Sequence, residues 1–130
     1  LALMMAAVAE RKPWLTIAQA PIVDLVAADH ANLSDDGDAV RRWMGCVHEG
    51  NEEIWRKVNP IENSPKSAVL LIHGTADDEV PWTQSESYVE AMEAKGEEIN
   101  KLWLPGGHFS IIDVASDDWL TQVEAIREWL

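Results

Sequence analysis

Two stretches of this 130-residue chain carry side chains suited to proton transfer: His73-Gly74-Thr75-Ala76-Asp77-Asp78-Glu79-Val80-Pro81 and Leu104-Pro105-Gly106-Gly107-His108-Phe109. A carboxylate beside an imidazole has a definite use. It fixes the ring's tautomer, orients it, and stabilises the imidazolium formed when the histidine takes a proton from a nucleophile. An acidic residue in a tight loop can be kept ionised by backbone N–H groups. Asp77 and His108 are the candidates for that acid and base. The glycines before His108 are expected to let the loop turn tightly and expose the ring.

What brings the two loops together is the pattern of elements around them. Residues 68–72 (AVLLI) form a short, wholly apolar run bounded by turn residues, the signature of a buried parallel strand. Residues 99–104 alternate and read as a second strand, and residues 15–20 (LTIAQA, ended by Pro21) as a third. Ala, Leu and Met make residues 1–10 helical. A further helix is expected over residues 83–95, with Ser85, Tyr88, Val89 and Met92 on one face and Gly96 closing it. The last helix starts at Ser116 as N-cap, with Asp117 and Asp118 at its positive end. It is expected to bury Trp119, Leu120, Val123, Ile126 and Leu130. Between the strands at residues 15–20 and 68–72, residues 22–30 are ambiguous and residues 32–38 form a turn-rich acidic loop. Short helices are expected from Asp38 to about Cys46 and over residues 52–58. Strands alternating with helices imply an α/β fold: a three-stranded parallel sheet flanked by helices, with a helical insertion at residues 26–58. Both loops then leave the carboxyl ends of neighbouring strands, where open α/β sheets gather their reactive groups.

The segment HGTADDEVP, followed by helix, strand and GGH, resembles the C-terminal part of α/β-hydrolases. The likeness is to small esterases and arylformamidases, and to the catalytic domain of prolyl-oligopeptidase-type peptidases. It is strongest over residues 68–113 and looser over residues 1–25. The resemblance implies that Asp77 is the acid and His108 the base of a serine-hydrolase triad. It also implies that Asp78 has no catalytic part and that neither metal nor cofactor is needed. It suggests hydrolysis of a carboxylic ester, with a prolyl-oligopeptidase-like peptidase or a non-catalytic relative as alternatives. The ester preference rests on His108-Phe109-Ser110-Ile111-Ile112-Asp113, since the peptidases more often follow the base with Gly. The nucleophile of such enzymes lies in Gly-x-Ser-x-Gly on a strained turn between strand and helix. No serine here has that context, so the nucleophile and the oxyanion donors are expected upstream of Leu1, and the chain alone is expected to be inactive. The insertion at residues 26–58 is expected to act as a lid near His108, with Trp43, Met44 and Trp55 as apolar wall.

Other groupings read as structural. His73 reads as strand-end punctuation and Ser110 as a loop hydroxyl. His48, Glu49, Glu52 and Glu53 are interrupted by Gly50 and Asn51 and read as a solvated acidic face. Asp35, Asp36 and Asp38 around Gly37 do not complete a calcium loop, because Trp43 would fall where a bidentate Glu is required. Cys46, the only cysteine, excludes an intrachain disulfide and reads as an inert buried thiol. The net charge of −13 disfavours nucleic-acid and membrane partners. A small ester substrate is the expected partner, with self-association through the uncovered edge of the first strand as a further expectation. Residues 1–8 lack a basic region and read as helix, not as a signal peptide, and a cytoplasmic location is expected.

Overall fold

The computed structural model describes residues 1–33 and 36–129. Three parallel strands form one sheet in the order β1 (Leu15–Gln19), β2 (Ala68–Gly74), β3 (Asn100–Leu104). Helix α1 (Ala2–Val8) precedes β1, α5 (Thr83–Glu93) joins β2 to β3, and α6 (Asp117–Arg127) ends the fold. Between β1 and β2 lie α2 (Leu25–His30), α3 (Ala39–Met44) and α4 (Glu52–Val58). This is the order of elements expected from the sequence. Ser34 and Asp35 in the acidic loop, and Leu130 of the expected last-helix face, lie outside the described residues.

The central strand explains the two-sided core. Every residue from Val69 to Gly74 is buried. Strand geometry sends alternate side chains to opposite faces. Val69 and Leu71 join Leu3, Ala6, Tyr88, Val89 and Met92 on the face covered by α1 and α5. Leu70 and Ile72 join Leu104 and Ile111 on the other, with Ile126 and Trp129 packed against them. The helix α5 buries Ser85, Tyr88, Val89 and Met92, the face its spacing predicted. At the end of β1, Ala20 takes a positive φ of 40°, uncommon for a residue with a Cβ, while its N–H bonds Ile72 O at 2.8 Å.

Helices α2, α3 and α4 share a small core of their own. Leu25, Ala28, Val40 and Trp55 are buried together, with Met44, Cys46 and Val58 against them. Asp24 resolves the ambiguous stretch: its carboxylate accepts from the N–H groups of Val26 and Ala27 and so starts α2. Trp55 is wholly buried in this core, and its ring meets that of His48 nearly at right angles, with 5.3 Å between centroids. Trp55 is therefore a packing residue, and the expectation that it forms part of a substrate wall is corrected. Cys46 is half-buried, not fully buried as expected. Trp43, by contrast, is exposed, and with Leu3, Ile17, Leu25 and Val40 it lines an apolar cavity of about 600 Å³ between α1, β1 and the insertion.

The last helix departs most from expectation. Leu120 is exposed, and Trp119, Val123 and Ile126 are only half-buried. The fully buried positions of α6 are the polar ones, Asp118 and Gln122. Apolar periodicity alone could not show this, because what that face meets is the polar backbone of the loop after β3. Gln122 Nε2 donates to Ile111 O, and Gln122 Oε1 accepts from Gln19 Nε2 at 2.7 Å.

Candidate active site at the strand ends

The loops after β2 and β3 are joined by backbone bonds that carry the sheet's ladder past its end. Thr75 N–H donates to Leu104 O at 2.7 Å and Ala76 N–H to Gly106 O at 3.1 Å. The approach is close enough that a Cβ on Gly74 would collide with the Gly106 carbonyl. A Cβ on Gly106 would collide with the side chains of Asp118 and Ser110. Among the glycines of both loops no φ is positive. Gly74 and Gly106 are therefore required for space, not for a left-handed turn.

This joining places Asp77 against His108, 31 residues away, with Nδ1 of the ring 2.8 Å from Asp77 Oδ2. The other carboxylate oxygen, Oδ1, accepts from the N–H groups of Glu79 at 3.0 Å and Val80 at 2.8 Å. A carboxylate that accepts from the backbone two and three residues on closes its own turn, as Asp and Asn commonly do. The Asp77 side chain is fully out of solvent. Burial works against its ionisation, but the Val80 N–H, the His108 ring and the Glu79 N–H outweigh it, and the carboxyl titrates below its ordinary range. With a carboxylate facing Nδ1, that nitrogen carries the proton of the neutral ring. The lone pair is then on Nε2, which hydrogen-bonds none of the described residues, and the side chain is 28% exposed. A ring in this state can take a proton from a group placed before it. Phe109 packs edge-on against it, with centroids 5.2 Å apart.

Two sets of supporting residues were not foreseen as such. The first is on α6. Asp118 Oδ2 accepts from Gly106 N–H at 3.0 Å and from Ser110 Oγ at 2.5 Å. Ser116, as N-cap, accepts from Trp119 N–H and donates to Ser110 O. The base-bearing loop is thus clamped on both sides of His108. Ser110 Oγ is committed to Asp118 and Gly107 O, in keeping with its reading as a loop hydroxyl. The second is His73. It is wholly buried, with Nδ1 2.7 Å from Ser85 Oγ, and Nε2 2.9 Å from Val80 O and 3.2 Å from Asp77 Oδ2. Reading it as punctuation is therefore corrected. A signal was present: His73 has the same strand parity as Val69 and Leu71, which sends it inward beneath α5. Asp78, expected to have no part in the pair, is exposed.

Parallel strands with helices on both faces, and an acid and an imidazole facing each other beyond the strand ends, define the C-terminal portion of an α/β-hydrolase fold. The chain belongs to the prolyl oligopeptidase family, whose model matches residues 2–129. Solved structures agree on the fold. Pyrococcus horikoshii acylaminoacyl peptidase is 21% identical with a TM-score of 0.77 over 96% of this chain and 20% of its own. Porphyromonas gingivalis dipeptidyl peptidase 4 is 19% identical with a TM-score of 0.71 over 95% of this chain and 17% of its own. A puromycin hydrolase is 20% identical with a TM-score of 0.64 over 81% of this chain and 16% of its own. The chain therefore spans about a fifth or less of the length of these structures. No curated protein matches it. Of the families weighed from the sequence, the one matched is that of the prolyl-oligopeptidase-type alternative.

Proposed function

We propose that this chain supplies the acid and the base of a serine peptidase of the prolyl oligopeptidase family, with His108 as general base and Asp77 as its orienting acid. The observation that carries the proposal is the 2.8 Å bond from His108 Nδ1 to an Asp77 carboxylate held ionised, in a chain that matches the family over residues 2–129. The chemistry follows from the geometry. His108 Nε2 takes the proton of a serine hydroxyl as that oxygen attacks the scissile carbonyl, and Asp77 stabilises the imidazolium. The proton then passes to the leaving amine, and water releases the acyl group by the same route in reverse.

None of the seven serines in this sequence lies in Gly-x-Ser-x-Gly. The nucleophile and oxyanion donors are assigned to residues outside these 130. The helical segment at residues 26–58 is proposed as a lid; the apolar cavity beside Trp43 lies between this segment, α1 and β1 and is lined by neither Asp77 nor His108.

The test uses the protein that carries this chain, supplied with N-acylated and free aminoacyl p-nitroanilides beside matched p-nitrophenyl esters. A peptidase cleaves the anilides with saturation and loses that turnover on His108→Ala. Cleavage of esters alone would return the ester reading. Anilide turnover untouched by His108→Ala would remove the dyad from the mechanism.

A further inference from the structure

The acid–base pair leaves one buried, proton-bearing ring unused. His73 sits one residue before the end of β2, under α5, and touches three polar groups, two in the turn after β2 and one on α5. Its tautomer follows from those neighbours. Nε2 faces two acceptors with no proton of their own, the Val80 carbonyl and the Asp77 carboxylate, so a lone pair there would be repelled by both. The proton is on Nε2, and Nδ1 accepts from the Ser85 hydroxyl, which can donate. Of the two acceptors, Val80 O at 2.9 Å receives the bond, and Asp77 Oδ2 at 3.2 Å lies beside the same N–H.

We infer that His73 is a positioning residue for the acid: a neutral imidazole whose Nε2–H closes the Asp77–Val80 turn and lies against Oδ2, so that this oxygen is directed to His108. The inference rests on the proposed Asp77–His108 pair and adds a third member to it. Asp77 Oδ1 already accepts two backbone N–H groups from the turn. Oδ2 has His108 on one side and His73 on the other. Each oxygen thus has two N–H groups close to it, and the carboxylate has no free direction in which to rotate. Since Val80 N–H bonds Oδ1 while Val80 O accepts from His73, the ring and the turn hold each other. Ser85 fixes the ring to α5, which ties the acid's position to the core helix rather than to its own exposed loop.

A packing residue and a positioning residue give different signals when His73 is replaced. The low-field proton NMR resonance of His108 Nδ1–H reports the strength of its bond to Oδ2. His73→Leu keeps a side chain of similar size but removes the N–H that closes the turn, so Oδ2 is no longer held toward His108 and the resonance is expected to move upfield or broaden. His73→Gln, whose amide restores an N–H near the same place, is expected to return it toward the unsubstituted position. Were His73 only filling space, Leu would fill it as well and the resonance would stay where it is.

A second measurement on the unsubstituted chain does not depend on any variant folding. The ring nitrogen shifts of His73 are expected to show the Nε2–H tautomer, and an Nδ1–H tautomer would overturn the inference. A His108 resonance that is present but unmoved or moved downfield by His73→Leu overturns it alone. Absence of any such resonance in the unsubstituted chain overturns the dyad itself, and this inference with it.

Discussion

Replacing Asp118 with alanine is expected to destabilise the 130-residue chain by about 2–4 kcal/mol while leaving its secondary structure intact. Asp118 is only 6% exposed and accepts two hydrogen bonds, from Gly106 N–H and Ser110 Oγ. Bonds to a charged acceptor contribute roughly 1.5–3 kcal/mol each. The serine keeps a second acceptor in Gly107 O, so its loss is partial. The Gly106 N–H is half-buried, and leaving such a donor unpaired costs at most roughly 1–3 kcal/mol. Loss of a negative charge from the first turn of α6 adds about 0.5 kcal/mol. Against these, the variant no longer has to keep a carboxylate out of water, which brings the net toward the lower half of the sum. Urea unfolding followed by tryptophan fluorescence gives the difference. Hydrogen exchange at the Gly106 amide should quicken, placing the loss at the loop that bears His108. Asp118→Asn keeps an oxygen for Gly106 and should fall between the two. A loss under about 0.5 kcal/mol, well inside the range of neutral surface changes, or an unchanged exchange rate at Gly106, would refute the idea that α6 clamps this loop.

Three further outcomes follow from other residues. The Asp77 carboxyl is held below its ordinary value of 3.8, so its contribution to stability is present above that pH and is lost as pH falls through its lower folded value; Asp77→Asn should flatten acid unfolding in that window, and an unchanged acid limb would contradict the assignment. Tyr88 is wholly buried with no hydrogen-bond partner for its hydroxyl among the described residues, and burial, with Glu97 nearby, pushes its titration from 10.0 up to about 12. The unfolded chain then loses its phenolic proton before the folded one does, so stability should decline by roughly 2 kcal/mol as pH rises from 10 to 12. Tyr88→Phe should remove that decline and cost little near neutrality, and the same fall with pH in both proteins would refute the reading. Trp55→Ala should melt the insertion by about 3–5 kcal/mol before the sheet, visible as early loss of exchange protection over residues 25–58; a single transition with the sheet would show that the insertion has no separate core.

Much of the scaffold was legible in the residues alone. A strand buried on both faces must read as an unbroken apolar run, and Ala68–Gly74 does over its first five residues. An amphipathic helix must repeat its inward-facing residues every turn, and Thr83–Glu93 places Ser85, Tyr88, Val89 and Met92 where the spacing put them. Asp77 and His108 were legible because short loops after neighbouring parallel strands have little choice of where to meet.

What the sequence could not decide is how polar groups share their partners, since a hydrogen bond between residues distant in the chain has no period. His73 differs from ordinary strand-end punctuation only by what surrounds it: Ser85 from the next helix, Val80 O from the turn, and the oxygen of Asp77. Asp118 and Gln122 broke the apolar stripe expected of the last helix because that helix faces a loop's backbone, whose N–H and C=O groups require polar side chains. Trp43 and Trp55 are the same residue type in one short insertion, yet one lines a cavity and the other fills a core. That choice was made by the packing of three helices against one another. The sequence by itself determined the sheet, its order of elements and the meeting of Asp77 with His108. Only the tertiary structure decided which side chains hold that pair in place, because holding requires partners that the chain brings together only after it has folded.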